Sequence, residues 1–376
     1  MKLYSKILAH LFFLFFTCII LSPSIKEQTF YLYWIIPIID FSFISYLRKI
    51  KIKRERILVI LSITVILIIY GQFIAILRIY LIIYTLVYLK YLDKNNYFYL
   101  LYKYMNFNII VAIFQFIFGY IDPKIAYQIG PTNIAKVIWG EYAGATFTNF
   151  YSIGLLKRAS GLSREVGFFA SLLIIVIIIY YEDSKVKKNK KQYLIFFIGY
   201  IIGFSKMSFL LPVYFILKRI RKYINVFSLP ISSTIITVGL IIISSYLKQS
   251  GYFDIKSHET WIHRLGGYYI ISKYSLINFI YPLRNIIEIY KEFPIAYLKS
   301  ILRLKYFTGL SHMILHMGGI VYILFLIILN MYKVTTFKYL ILILLCFNTS
   351  FITVSSYIIL NYYFIFDLWE RNEKNC

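Results

Sequence analysis

The chain has 376 residues, 60% of them hydrophobic and 20% aromatic, with 41 Lys and Arg against 16 Asp and Glu. A soluble domain must present polar surface on every outward face, and a charged fraction of 15% with a mean hydropathy of +0.72 leaves too little to do so. The net charge of +25 is therefore read as Lys and Arg retained in the cytoplasmic loops of a membrane protein, with no nucleic-acid partner.

Apolar runs long enough to cross a hydrocarbon core of roughly 30 Å occur near residues 7–22, 29–47, 105–121, 166–181, 224–246 and 311–331. Residues 57–89 are too long for one crossing and break at Gly71-Gln72, and residues 337–367 break at Asn348-Thr349-Ser350. Each reads as two short spans. The first run follows Lys2 and Lys6 and resembles a secretory signal, but Ser22-Pro23-Ser24 lacks a small-residue cleavage site, so it is taken as an uncleaved span. Asp40 and Arg78 lie inside apolar runs and should face the protein interior.

Residues 192–217 lie between two basic clusters, Lys185 to Lys191 and Lys218 to Lys222. Both clusters belong in the cytoplasm, so the chain between them must return to the side it left. A short hairpin with Ser205-Lys206 at its outer tip does this. Threading the rest by the same rule gives an all-α, polytopic helical membrane protein of about twelve spans with both ends inside, and its cytoplasmic segments hold 24 of the 41 basic residues. The organisation expected is an N-terminal transmembrane bundle (1–121), a first outer loop (122–165), central spans (166–246), a second outer loop with amphipathic helices (247–310), and C-terminal spans with a cytoplasmic tail (311–376). In the second loop the three-to-four spacing of apolar residues over 282–305, broken at Pro294, carries the helical reading.

Both outer loops are basic as well, which positive-inside bias does not predict. The first has five Lys and Arg against three acids, the second nine against four. Cationic, partly apolar caps suit an anionic amphiphile such as a phosphate or diphosphate headgroup on a lipid. The densest stretch is Lys157-Arg158-Ala159-Ser160-Gly161-Leu162-Ser163-Arg164-Glu165, running directly into a span. Arg158 and Arg164 supply anion-binding groups, Glu165 a general base, and Gly161 a backbone free to approach a ligand. Lys206 at the hairpin tip and Arg264, within Trp261-Ile262-His263-Arg264-Leu265-Gly266-Gly267, are further phosphate contacts. His312 is a second candidate base, with His316 four residues on and on the same helical face. His10 and His258 have no such context. Cys18, Cys346 and Cys376 lack the spacing of a disulfide framework or thiolate site, and neither a metal-ligand carboxylate pair nor a Gly-rich nucleotide loop occurs, so no metal and no cofactor is expected.

Arg158-x-x-Gly161 followed by Glu165 at the start of a span resembles the signature of Wzy-type polymerases of O-antigen and capsular polysaccharide repeat units, which are related to O-antigen ligases. Many members carry Pro after the Glu, where this chain has Val166. The Phe204-Ser205-Lys206-Met207-Ser208 tip and the large loop closing on Leu310-Ser311-His312-Met313 and Gly318-Gly319 are similar to that family's layout, so the resemblance covers about 100–335. It implies a GT-C-like fold and a multi-pass enzyme of the bacterial inner (plasma) membrane. The implied activity is a membrane glycosyltransferase joining undecaprenyl-diphosphate-linked oligosaccharides on the outer face, with membrane lipid, a chain-length regulator and a flippase as partners. An O-antigen ligase transferring glycan to lipid A core is the nearest alternative. A lipid-linked oligosaccharide flippase or other transporter is the alternative of another class, disfavoured by the two large, cationic outer loops and the few buried charges.

Overall fold

A computed structural model describes residues 2–25, 28–50, 52–144, 151–153, 156–255, 261–282, 309–346 and 355–365. In chain order the helices used below are α1 (Lys2–Thr17), α2 (Phe41–Leu47), α3 (Arg54–Ile69), α4 (Phe73–Lys94), α5 (Tyr99–Ile121), α6 (Pro123–Gln128), α7 (Pro131–Trp139), α8 (Val166–Glu182), α9 (Lys190–Ile202), α10 (Leu210–Arg219), α11 (Leu229–Gln249), α12 (Gly267–Ser272), α13 (Gly309–Met317), α14 (Gly319–Met331), α15 (Thr336–Cys346) and α16 (Ser355–Ile365). Among the described residues the only sheets are two short antiparallel hairpins, β1 (Ser24–Ile25) with β2 (Gln28–Thr29) and β3 (Tyr151–Ile153) with β4 (Leu156–Arg158). The protein is helical as expected, and α4, α5 and α11 are long and apolar enough to cross a membrane.

Burial separates two kinds of apolar helix. α8 is covered on nearly all sides, with every residue from Phe169 to Tyr180 buried, as befits a helix apolar all round. α11, less apolar and bearing several serines and threonines, exposes Ile235, Val238 and Ile242, a stripe at helical spacing. An apolar stripe left open in this way suits contact with lipid.

The described residues fall into two units, Met1–Ile50, Leu81–Val213 and Ile358–Cys376 in the first, Lys51–Tyr80 and Tyr214–Tyr357 in the second. In the first unit an aromatic core forms where α1 meets the 31–43 segment and α4. The Phe12 and Tyr88 ring centroids lie 5.0 Å apart, Phe16 and Tyr33 5.1 Å, and Phe43 and Tyr88 4.9 Å, all edge-on, the arrangement ring quadrupoles favour. Residues 29–47, which hydropathy offers as one span, are divided instead at Asp40. Its fully buried carboxylate accepts the amides of Ser42 (3.0 Å) and Phe43 (3.2 Å) as the cap of α2, and takes the hydroxyls of Ser5 (3.2 Å) and Tyr88 (3.1 Å). Capping, rather than a span-centre charge, explains the acid in this run. The hairpin expected at 192–217 is present as α9 and α10. These helices have 13 and 10 residues, about 20 and 15 Å at 1.5 Å per residue, short of the hydrocarbon thickness.

In the second unit α3 packs on α14, and α11 packs on α12. The break expected at Gly71-Gln72 separates α3 from α4. The run 311–331, expected as one span, is two helices, α13 and α14, divided at Gly318. Its φ of +92° lies outside what other residues adopt, and a Cβ there would stand 2.6 Å from the Ile280 carbonyl oxygen. Tyr70 donates to that same carbonyl at 2.8 Å, so the division holds the 276–280 turn against α3. Serine, threonine and tyrosine hydroxyls tie the helices on the other side: Ser232 to Thr336 at 3.0 Å and Tyr322 to Tyr339 at 2.8 Å. The amphipathic helices expected over 282–305 lie, beyond Pro282, outside the described residues.

Candidate functional site

The stretch from Lys157 to Glu165 is held on α5 by two buried amides seven residues apart, hence on one face of the helix. Gln115 accepts the Gly161 N–H at 2.9 Å and donates to the carbonyls of Gly161 (2.9 Å) and Ile129 (2.8 Å). Asn108 accepts the Leu162 N–H at 2.7 Å and donates to the Thr17 carbonyl at 2.8 Å, while Ile20 N–H reaches the Leu162 carbonyl at 3.2 Å. Gly161 has φ +56°, and a Cβ on it would lie 2.1 Å from Asn108 Oδ1 and 2.6 Å from the Asn108 carbonyl. The freedom of this glycine thus brings the loop against α5. Leu162 closes a small apolar cluster with Cys18, Ile20 and Ala135.

This anchoring sets the charged groups. Arg158, the last residue of β4, donates from Nη1 to the Phe204 carbonyl at 3.3 Å, and Ala159 N–H reaches the Ile202 carbonyl at 3.2 Å. The β4 strand end and the α9–α10 hairpin tip therefore meet, although 46 residues separate Arg158 from Phe204. The tip is shaped by a reciprocal cap, in which Ser205 N–H donates to Ser208 Oγ at 3.0 Å and Met207 N–H to Ser205 Oγ at 3.2 Å. It leaves Lys206 exposed at the start of a 3-10 turn. Lys157 lies over the Tyr120 ring, its Nζ also reaching the Gly119 carbonyl. Glu165 is the extended residue at the start of α8, half-buried, its carbonyl accepting Phe169 N–H at 3.1 Å.

Arg164 points the other way along the loop. Its guanidinium lies against the backbone of Gly144, where an added Cβ would come within 2.3 Å of Nη2. Burial pulls its pKa below the ordinary arginine value, partly opposed by the Tyr31 hydroxyl. Nη2 of Arg164 and the hydroxyls of Ser160 and Ser163 are buried without a hydrogen-bond partner among the described residues. Three such groups within five residues are unusual in a native interior. They can bond an anion or a sugar hydroxyl at little desolvation cost.

Arg264 and His312 belong to the second unit. Arg264 sits half-buried in a π-helical turn, Ile262–Gly266, a geometry frequent at functional positions. The turn is fixed to α11 by Ser244, whose hydroxyl donates to the Leu265 carbonyl at 2.6 Å. Neighbouring His263 has its pKa pushed down to about 4, by burial first and the Arg264 charge second. His312 is buried on α13, and its ring centroid is 4.6 Å from that of His316, so the two imidazoles are in contact. The structure thus brings Arg158 to the Phe204 carbonyl beside the Lys206 tip and fixes Gly161 on α5, sets Arg164 against Gly144 and Glu165 at the start of α8, and carries Arg264 and His312 in the second unit. Sequence reading missed Asn108, Gln115, Ser160 and Ser163. Two amides at helical spacing inside an apolar run were the available signal.

Among the described residues no group of three His, Cys, Asp or Glu side chains is arranged to hold a metal ion. Comparison with protein-family models, with curated sequences and with solved structures finds no match to this chain.

Proposed function

We propose that the chain is a multi-pass glycosyltransferase of the bacterial cytoplasmic membrane, of about twelve spans and GT-C-like. In this reading it polymerises undecaprenyl-diphosphate-linked oligosaccharide repeat units into O-antigen or capsular polysaccharide on the outer face. The observation that carries the reading is the joining of Arg158 to the hairpin tip, beside a loop bearing Arg164 and two buried, unpartnered serine hydroxyls. Cationic and hydroxyl donors gathered at one end of a helical unit match what a lipid diphosphate needs. Chain topology supports the sidedness. The loop 156–165 and the hairpin tip, both outside by charge bias, hydrogen-bond to each other and to Asn108 and Gln115 of α5, whereas Asp93 and Lys185, cytoplasmic by the same rule, meet one another.

In the proposed reaction an acceptor hydroxyl attacks the anomeric carbon of the donor sugar, the bond from that carbon to the phosphate oxygen breaks, and the carrier diphosphate leaves. Arg158, Arg164 and Lys206 hold the diphosphate and offset the charge that grows on it, the step where fixed donors help most. Glu165 takes the acceptor proton. Replacing Arg158 by Ala should abolish long polymer while the protein still inserts in the membrane. Glycan of normal length in that variant overturns the site assignment. In a cell without the gene, single repeat units on surface lipid support a polymerase, and long chains retained on the carrier indicate a ligase.

A further inference from the structure

At the other end of α5 and α8 from the loop just described, the first unit contains a cleft of about 380 Å³ that the proposed transfer reaction does not use. Four chain segments meet there. Lys90 and Lys94 come from the last turns of α4, one helical turn apart and so on one face, where like charges repel. Lys185 enters from the turn after α8 and Tyr362 from α16. Among the described residues Asp93 is the one acid lining the cleft, held by Lys185 Nζ at 2.9 Å and by the Tyr362 hydroxyl at 3.2 Å. Its side chain is only 12% exposed, whereas that of Lys185 is 40% exposed, so the acid is tied into the wall and the ammonium remains open to the cleft. Lys94 Nζ lies 5.4 Å from the Tyr46 ring centroid, which holds it over the opposite rim. Asn96 closes the turn between α4 and α5 at φ 59°, a left-handed conformation that asparagine tolerates, and its amide adds a neutral donor.

We propose that this cleft is a binding site for a phosphate-bearing anion, a second site distinct from the loop around Arg158 and independent of the reading given to that loop. Among the described residues of the lining, three ammonium groups face one carboxylate. Ammonium groups on flexible stems bind phosphate as point charges without demanding a planar fork. An anion between Lys90 and Lys94 also relieves their mutual repulsion. The phosphate is that of an acidic lipid headgroup at the membrane surface or of a soluble phosphate ester, which share this chemistry.

The test uses the purified full chain in neutral phosphatidylcholine nanodiscs. One arm titrates glycerol 3-phosphate and follows its phosphorus resonance. The other exchanges phosphatidylglycerol into the disc and measures lipid retained after detergent extraction. Binding in the first arm assigns the site to a soluble ester, and retention in the second alone assigns it to a lipid headgroup. Either is expected to weaken by roughly three- to tenfold in each of Lys90→Gln and Lys94→Gln. Asp93→Asn separates a binding site from a structural cluster: removing the acid frees Lys185 and should tighten anion binding severalfold, whereas a merely structural ion pair predicts loss or no change. No binding in either arm, or binding unaltered by both lysine variants, overturns the proposal.

Discussion

Gly161→Ala tests whether the basic loop is held on α5 as described. A methyl at this position meets Asn108 Oδ1 at 2.1 Å and the Asn108 backbone oxygen at 2.6 Å, and the backbone must keep φ +56°. The left-handed conformation alone costs an alanine about 1–2 kcal/mol. Displacing the Asn108 amide strands the Leu162 N–H and the Thr17 carbonyl, at about 1–3 kcal/mol for each buried group. Together these put the loss at about 4 kcal/mol, close to a thousandfold in the equilibrium for lifting the loop. Leu162 packs with Cys18, which is fully buried, so loop lifting can be read as thiol accessibility. With Cys346 and Cys376 replaced by serine, maleimide labelling of Cys18 in the folded, detergent-purified protein should accelerate by roughly a hundred- to a thousandfold in Gly161→Ala, because labelling proceeds through local opening. Equal protection in the variant and its parent would refute the account of the loop.

Gln115→Leu removes the partner of three backbone groups, Gly161 N–H, Gly161 C=O and Ile129 C=O, and should lower stability by about 2–4 kcal/mol, seen as a fall in melting temperature in detergent. Arg164→Met should leave stability unchanged or raise it by about 1 kcal/mol, since it removes a buried guanidinium nitrogen that has no partner among the described residues, while polymer length collapses. A large loss of stability in this variant would make Arg164 a structural residue. His263 sets a pH dependence. Its folded pKa, about 4, lies below the ordinary 6.5, so unfolding takes up a proton between these values. The stabilisation is complete above pH 6.5 and is lost as pH falls toward 4, by up to about 3 kcal/mol. A melting-temperature profile from pH 7 to 4 should be flatter in His263→Gln than in the parent, and parallel profiles would remove His263 as the cause.

Much of the helical layout was legible because hydropathy reports the medium a helix can tolerate. The break at Gly71 and the hairpin between two basic clusters followed from a glycine-polar pair and from charge placement, both local signals. The divisions at Asp40 and Gly318 were not legible. Asp40 reads as a costly charge in an apolar run until the Ser5 and Tyr88 hydroxyls reach it from distant parts of the chain, and Gly318 reads as a small residue in a span until Ile280 approaches it. In the candidate site, Arg158, Arg164 and Glu165 stood out as charges at the start of an apolar helix. Their support did not, because an amide such as Gln115 gains its meaning from the loop glycine it grips 46 residues later. The role given to Gly161 shifted for the same reason: its missing side chain admits Asn108.

The paired amides on α5 have a mechanical corollary. Because Asn108 and Gln115 grip consecutive residues of the loop two helical turns apart along one axis, α5 sets the height of the loop that carries Arg158. An axial slide of α5 by one turn, about 5.4 Å, would carry the arginine with it and shear it from the Phe204 carbonyl. The helix therefore acts as a gauge rod for the basic loop, and a displacement of the rod resets the distance between arginine and hairpin.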